Sequence, residues 1–376
     1  MARSSARPAP RRKRRRPARP ETPIRNGLLL AALVAALVAL IGILPSERAQ
    51  LSAMGPDGQP GGFYSVPEDI PLRFSEVMST NRGAVPDEHA KFPDWIELEN
   101  TSDEPLPIGG LGLSDRKDRV LFVFPEMEVP AGGFVLVFCD GQNRTDGPEL
   151  HARFKLSSRG ETLYLFDRNG QMIEQLDVPA MGRNIVYALS SEGWIQTDQY
   201  TPGFPNTRSG RSTMYASAID ATRGLVINEL MASNRTTLAD EDGQFVDWIE
   251  LHNRGVQTVD LYNVFLSDNV GRPLKWRFAK GTTIAPGAYL IVFASGKNRP
   301  GGDGLSPHTN FRLSAEGETV LLSDPYGQVI DSVTFENLGR DVSWGRTPVS
   351  PNTFREFRNP TPGRPNDQSV DDNDDA

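Results

Sequence analysis

Four acids stand where paired carboxylates could share general acid and base work: Glu76 with Asp94, and Glu229 with Asp247. Two such carboxyls facing one open cleft would make a hydrolase. Their neighbours argue for a quieter role. Glu76 and Glu229 fall mid-strand among apolar residues, which predicts buried acids satisfied by backbone or by a basic partner. Asp94 and Asp247 each precede a Trp and are expected to fix the strand entry through local hydrogen bonds. His151 and His308 each lie three residues before a Phe. A histidine repeated at matching positions predicts structural hydrogen bonding, and no Ser or Cys nucleophile motif stands beside either. His89 and His252 have no counterparts, and no His/Cys spacing suggests zinc. Cys139, the only cysteine, sits in the apolar run Phe134–Cys139, so it reads as a small core residue and no intramolecular disulfide can form. Asp240-Glu241-Asp242-Gly243 is the best calcium candidate, but it lacks the alternating acids and the distal Glu of a calcium loop. It reads as a solvated acidic loop, and its counterpart is only Pro86-Asp87-Glu88. The glycines around Gly301-Gly302-Asp303-Gly304 lack the Lys-Ser/Thr of a phosphate loop. No catalytic, cofactor-binding or metal-ligating residue is assigned on this basis, and no cofactor is expected.

These residues belong to elements that occur twice. Glu76–Asn81 returns as Glu229–Asn234, Asp94–Leu98 as Asp247–Leu251, and Leu113-Ser114-Asp115 as Leu266-Ser267-Asp268, all at an offset of 153. The offset drifts to 157 at Phe154/Phe311 and to 160 at Thr201/Thr361, as loop insertions would make it. A repeat this long exceeds the solenoid unit of roughly 20–50 residues and suits a domain with its own core. Within each copy, Leu72–Met78, Leu225–Met231, Trp95–Leu98 and Trp248–Leu251 alternate like strands. Phe134–Phe138 and Tyr289–Phe293 are continuous apolar runs, expected in strands buried on both sides. The turns at Asp167–Gly170 and Asp324–Gly327 join hairpins. Thirty-five Gly and thirty Pro favour turns over helices, and no stretch beyond the membrane segment reads as an amphipathic helix. Seven or more short strands per copy point to an all-β protein of two tandem immunoglobulin-like β-sandwiches, plus one N-terminal transmembrane α-helix.

The expected order is a basic cytoplasmic arm (1–26), a transmembrane helix (27–44), a flexible stalk (45–71), domain one (72–207), a polar linker (208–223), domain two (224–366) and an acidic disordered tail (367–376). Residues 27–44 carry no polar side chain and would span roughly 27 Å as a helix. The run is longer than a signal-peptide core and no good cleavage site follows it. Ten basic residues and one acid precede it, which places the N-terminus in the cytoplasm and the rest outside, at the plasma membrane. The arm suits anionic lipid. The remainder holds 30 basic and 47 acidic residues, a poor surface for phosphate, so no nucleic acid is expected.

The blocks Asn228–Asn234, Asp247–Asn253, Leu266-Ser267-Asp268, Trp276-Arg277-Phe278, His308–Ser314, Ser343–Arg346, Thr361-Pro362-Gly363 and Pro365-Asn366 follow one another in an order that resembles the lamin tail domain in its bacterial form. The first copy keeps most of them. It departs at Leu121–Phe124, where Trp-Arg-Phe is missing, and at Ile185–Leu189, which no Gly-Arg follows. The resemblance covers about three quarters of the chain. It implies an immunoglobulin-like sandwich without general catalytic residues, found in lamins and in bacterial surface proteins beside enzymes. The two copies, stalk and anchor leave no room here for a separate enzyme domain. The expected function is therefore non-catalytic binding or scaffolding at the cell envelope, with an envelope polysaccharide or a surface protein as partner. The alternatives are accessory service to a separately encoded enzyme, or a carboxylate-dependent hydrolase. Any ligand is expected where the copies differ, in loops 115–120, 143–150, 269–275 and 298–307.

Overall fold

A single extra residue in the first strand of each copy sets much of the architecture. In the computed structural model, Leu72–Met78 pairs with Trp95–Asn100, and the register slips between Phe74 and Glu76. The same slip occurs between Ile227 and Glu229, where Leu225–Met231 pairs with Trp248–Asn253. A bulge of this kind re-aims the side chains that follow it. Leu72, Phe74 and Val77 face the core between the sheets, while Met78 joins Trp95 and Phe138 on the opposite face. Glu76 alternates with Val77 and is thereby turned to that opposite face, as Glu229 is beside Leu230.

The described residues are 70–366, apart from 303, 349 and 351. The basic arm, the apolar segment 27–44, nearly all of the stalk and the acidic tail lie outside them. Among the described residues no helix is long and apolar enough to cross a membrane.

Copy one stacks a six-stranded sheet on a four-stranded sheet. The first runs 193–197, 186–190, 72–78, 95–100, 134–139, 150–152, and the second 172–178, 161–166, 112–114, 122–123. Copy two stacks 289–293, 248–253, 225–231, 343–346, 354–357 on 276–277, 265–267, 317–323, 329–336. Each sandwich encloses its own core, around Phe74, Ile96 and Leu163 in one and Ile227, Ile249 and Phe278 in the other. The expected hairpins form around Asx turns. The Asp167 carboxylate accepts from the N–H groups of Asn169 and Gln171, and Asp324 does the same for Tyr326 and Gln328. Gly170 and Gly327 complete these turns at φ +77°, a conformation that costs glycine no Cβ clash.

Two expectations need correction. Residues 208–223 are not a plain polar linker: Arg208–Ala221 is an α-helix, with the Thr207 hydroxyl accepting from the Gly210 N–H at 2.9 Å as its N-cap. Only Gly210 and Met214 of this helix are buried, so it leaves almost no apolar period to read. Tyr289–Phe293, in turn, is not a central strand. It ends its sheet, and its first three residues are only partly buried.

Candidate functional site

The acids that recur in sequence are brought together in pairs, though not the Glu76/Asp94 and Glu229/Asp247 pairs of the hydrolase alternative. Glu76 opposes Glu97 directly across the strands, and Glu229 opposes Glu250. Asp94 lies three residues before Glu97, about 10 Å along the strand. All four glutamates are fully buried. Two carboxyls side by side out of water would repel strongly if both ionised. What satisfies them is the chain's own Thr-Pro-Gly-x-Pro-Asn segment, which closes each copy.

In copy one, the Glu76 carboxyl accepts from the Thr201 N–H at 3.0 Å and lies 2.9 Å from the Thr201 hydroxyl. Glu97 accepts from the Gly203 N–H at 2.5 Å. In copy two, Glu229 accepts from the Thr361 N–H at 3.2 Å and from the Ser343 hydroxyl. Glu250 accepts from the Gly363 N–H and from the Asn228 amide. The turn needs glycine at its centre, since Gly203 and Gly363 have φ of +79° and +80°. Asn206 and Asn366 finish the clasp by donating to the Ser75 and Arg346 carbonyls at 3.0 and 2.8 Å.

Proton counting fits these contacts. The Thr201 hydroxyl touches both Glu76 and the Asn206 side-chain oxygen, the latter at 2.6 Å, but carries one hydrogen. A protonated Glu76 supplies the second. Burial raises Glu76 and Glu250 to about 7. It also raises Glu229, and Glu97 well above the ordinary range, with the neighbouring Glu76 adding to the rise. The raised carboxyls therefore belong to a device that holds the fold. Asp94 accepts from the Asn81 N–H at 3.0 Å, and desolvation raises its carboxyl; Asp247 is pushed up to about 6 by the same cause. Local strand-entry bonding is what their position before Trp predicts.

The two histidines anchor a second recurring arrangement. His151 bonds Asp140 through Nδ1 at 2.9 Å and Glu88 through Nε2 at 3.0 Å. His308 bonds the Ser295 hydroxyl at 2.9 Å and Glu241 at 2.9 Å. Ser295, His308 and Glu241 thus form a serine–histidine–acid line that sequence spacing did not reveal. Both Ser295 and His308 are buried, the Ser295 oxygen also accepts from the Lys297 N–H, and its counterpart in copy one is an Asp. Its chemistry is that of a buried bridge between loops.

Asp240–Gly243 is an acidic loop exposed at Glu241, Asp242 and Gly243, and it is ion-paired as well. Lys297 binds Asp240 at 2.5 Å and Asp242 at 2.6 Å, and Arg299 binds Asp242 at 2.9 Å. Two cations occupy the oxygens a calcium ion would need. Cys139 is buried, and burial pushes its thiol well above the ordinary value.

One cluster escaped sequence reasoning altogether. Glu88, Glu149 and His151 lie within metal-ligand reach of one another. Arg144 already pairs with Glu88, and Arg277 pairs with Glu149 at 2.9 Å, so we read an ion-pair cluster and assign no metal. Glu149 belongs to copy one and Arg277 to copy two, so this cluster also joins the copies. Glu149 accepts from the Tyr262 hydroxyl at 2.8 Å, and the Arg277 guanidinium lies 3.8 Å over the Tyr262 ring. A cavity of about 590 Å³ opens nearby, lined by Phe134, Leu136 and Phe138 of copy one, Met214 of the helix, and Pro325 and Tyr326 of copy two. The apolar run Phe134–Phe138 thus has a second face at this junction.

No curated protein matches the chain. The family model described as Lamin Tail Domain matches residues 67–179 and 219–337, one region in each sandwich. The match covers more than half of the chain, and the bulged first strands and paired glutamates recur in both regions, so the chain belongs to the lamin tail domain family and carries the domain twice in tandem.

Proposed function

We propose that this chain is a non-catalytic binding and scaffolding protein of a bacterial cell envelope, tethered by residues 27–44 with both sandwiches outside the membrane. One observation carries the non-catalytic part. The acids and histidines that recur between the copies bond inward, to backbone groups, buried hydroxyls and ion-pair partners, in both sandwiches. Groups held this way build the domain, and outward recognition falls to the loops and the junction, where the copies differ. The anchoring part rests on the unbroken apolar run after ten basic residues. Two tandem modules on one tether would also raise avidity for a repetitive polymer.

The test is protease shaving of intact cells producing the full chain, followed by affinity capture from solubilised envelopes. The expected result is a membrane-fraction protein whose sandwiches are cleaved from outside and which retains an envelope polysaccharide or surface protein. Recovery in the soluble fraction, or capture of nothing above background, overturns the reading.

A further inference from the structure

A second cleft at the junction gathers cations in a chain that is acidic beyond its first 26 residues. It has a volume of about 880 Å³ and is lined by Arg82, Phe92 and Arg183 of copy one and Arg272, Leu274 and Tyr326 of copy two, with no carboxylate in its lining. This volume falls within the roughly 300–1,000 Å³ of small-molecule sites. Beyond its first 26 residues the chain has an excess of 17 acids, so three guanidiniums together are a local exception. Among the described residues none of the three is within ion-pair distance of an acid. Asp94 is close enough for the Arg82 charge to lower its carboxyl, but it faces the Asn81 N–H and does not line the cleft.

The duplication supplies an internal comparison. Arg82 and Arg183 correspond to Arg235 and Arg340. In copy one, Asn184 accepts from the Arg82 N–H at 2.6 Å; in copy two, Asp341 accepts from the Arg235 N–H at the same distance. Both residues adopt left-handed φ, +55° and +58°, which Asn and Asp tolerate. The loops therefore share a geometry and differ in charge. Copy two places a carboxylate beside its arginines, with Arg340 and Asp341 3.6 Å apart, and copy one places a neutral amide there. Arg183 also donates to the Arg82 carbonyl at 3.2 Å, which holds the two arginines of copy one together.

We propose that this cleft binds an anionic saccharide, one bearing phosphate or carboxylate groups. Arginine forks match the planar or tetrahedral oxyanion with paired, charge-assisted hydrogen bonds. The rings of Phe92 and Tyr326 offer flat apolar surface for the C–H face of a sugar. A positive cleft in an acidic body focuses such a group while the body repels a long, densely charged chain. The choice of a saccharide rests on the envelope location proposed above; the choice of an anion rests on the cleft alone.

The experiment uses the full chain in detergent micelles, with binding read by calorimetry at fixed salt. The probes are a phosphorylated manno-oligosaccharide, an oligogalacturonate, neutral dextran and single-stranded DNA. Binding is expected to at least one of the first two, and whichever binds identifies phosphate or carboxylate as the source. Asn184→Asp installs the acid that copy two already accommodates, so the loop is kept; it should weaken binding at least about tenfold, as should Arg272→Gln. Arg340→Gln should leave binding unchanged. The proposal is overturned if neither anionic probe binds, if dextran or DNA binds as tightly, or if Asn184→Asp has no effect. Should the chain retain envelope material while Asn184→Asp changes nothing, the cleft is excluded and the broader surface-binding reading stands.

Discussion

At the scale of single residues, the chain places like charges opposite each other and then removes the charge. Glu76 and Glu250 reach about 7 when buried, against 4.5 when free. Between those values the folded chain binds more protons than the unfolded chain. The stability these groups lend is therefore complete below about 4.5 and is lost as pH rises through about 7. Thermal unfolding scanned from about pH 5 to about pH 8 should show a falling midpoint, reflecting a stability loss on the order of 1–3 kcal/mol. Glu97→Gln keeps an oxygen for the Gly203 N–H and cannot ionise, so it should flatten the copy-one part of that fall. A midpoint that rises across this range would contradict the assignment. The histidine bridges are a second residue-scale test. His308→Ala removes the bridge between buried Ser295 and Glu241 and leaves a cavity, and urea unfolding should register a loss of about 2–4 kcal/mol.

At the scale of elements, the helix 208–221 is welded to the clasp before it. Asn206 closes the clasp, Thr207 caps the helix, and Gly210 lies so close that an added Cβ would come 2.0 Å from the Pro205 carbonyl. Gly210→Ala should destabilise copy one by about 1–3 kcal/mol and open residues 207–223 to proteolysis, whereas Ser212→Ala, on the exposed side, should not. Equal protease resistance in both variants would show the helix to be independent of the clasp. This element also marks a limit of sequence reading. The strands at 72–78, 95–100, 225–231 and 248–253 announced themselves by alternation, because their inner faces pack on a shared core. The helix packs through one methionine and one glycine, and a single contact makes no period. The candidate site was half legible for a related reason. Glu76 and Glu229 stand mid-strand among apolar residues, which predicts buried acids, and the backbone N–H groups of Thr201 and Thr361 satisfy them. Glu97 and Glu250 alternate with apolar neighbours, a pattern that predicts the polar side of a half-buried strand, and the segment covering them lies more than 100 residues away in sequence. The arginine cleft and the Glu149–Arg277 pair combine residues of both copies, which no local pattern could reveal.

At the scale of the whole molecule, the junction is what two independent sandwiches would lack. Glu149 holds Tyr262 and Arg277, and Tyr215 on the helix meets Tyr326 edge-on at 5.7 Å. Glu149→Ala leaves the nearly buried Arg277 without its acid. Calorimetry should then show the two copies unfolding as separate transitions, with copy two weakened by about 3–5 kcal/mol. One unchanged transition would mean that the aromatic contacts alone couple them. The cavity and the cleft both lie at this junction, so uncoupling should also lower affinity for the anionic saccharide.

The clasp has a further consequence in time. Thr201 is 125 residues after Glu76, and Thr361 is 132 after Glu229. A ribosome adding about 5–20 residues per second needs roughly 6–25 s to supply the second partner after the first. For that interval each first strand carries its glutamate open to water and ionised, facing the glutamate of the second strand. A nascent sandwich is thus kept from closing prematurely by its own repulsion, and the last turn to emerge both seals it and neutralises it.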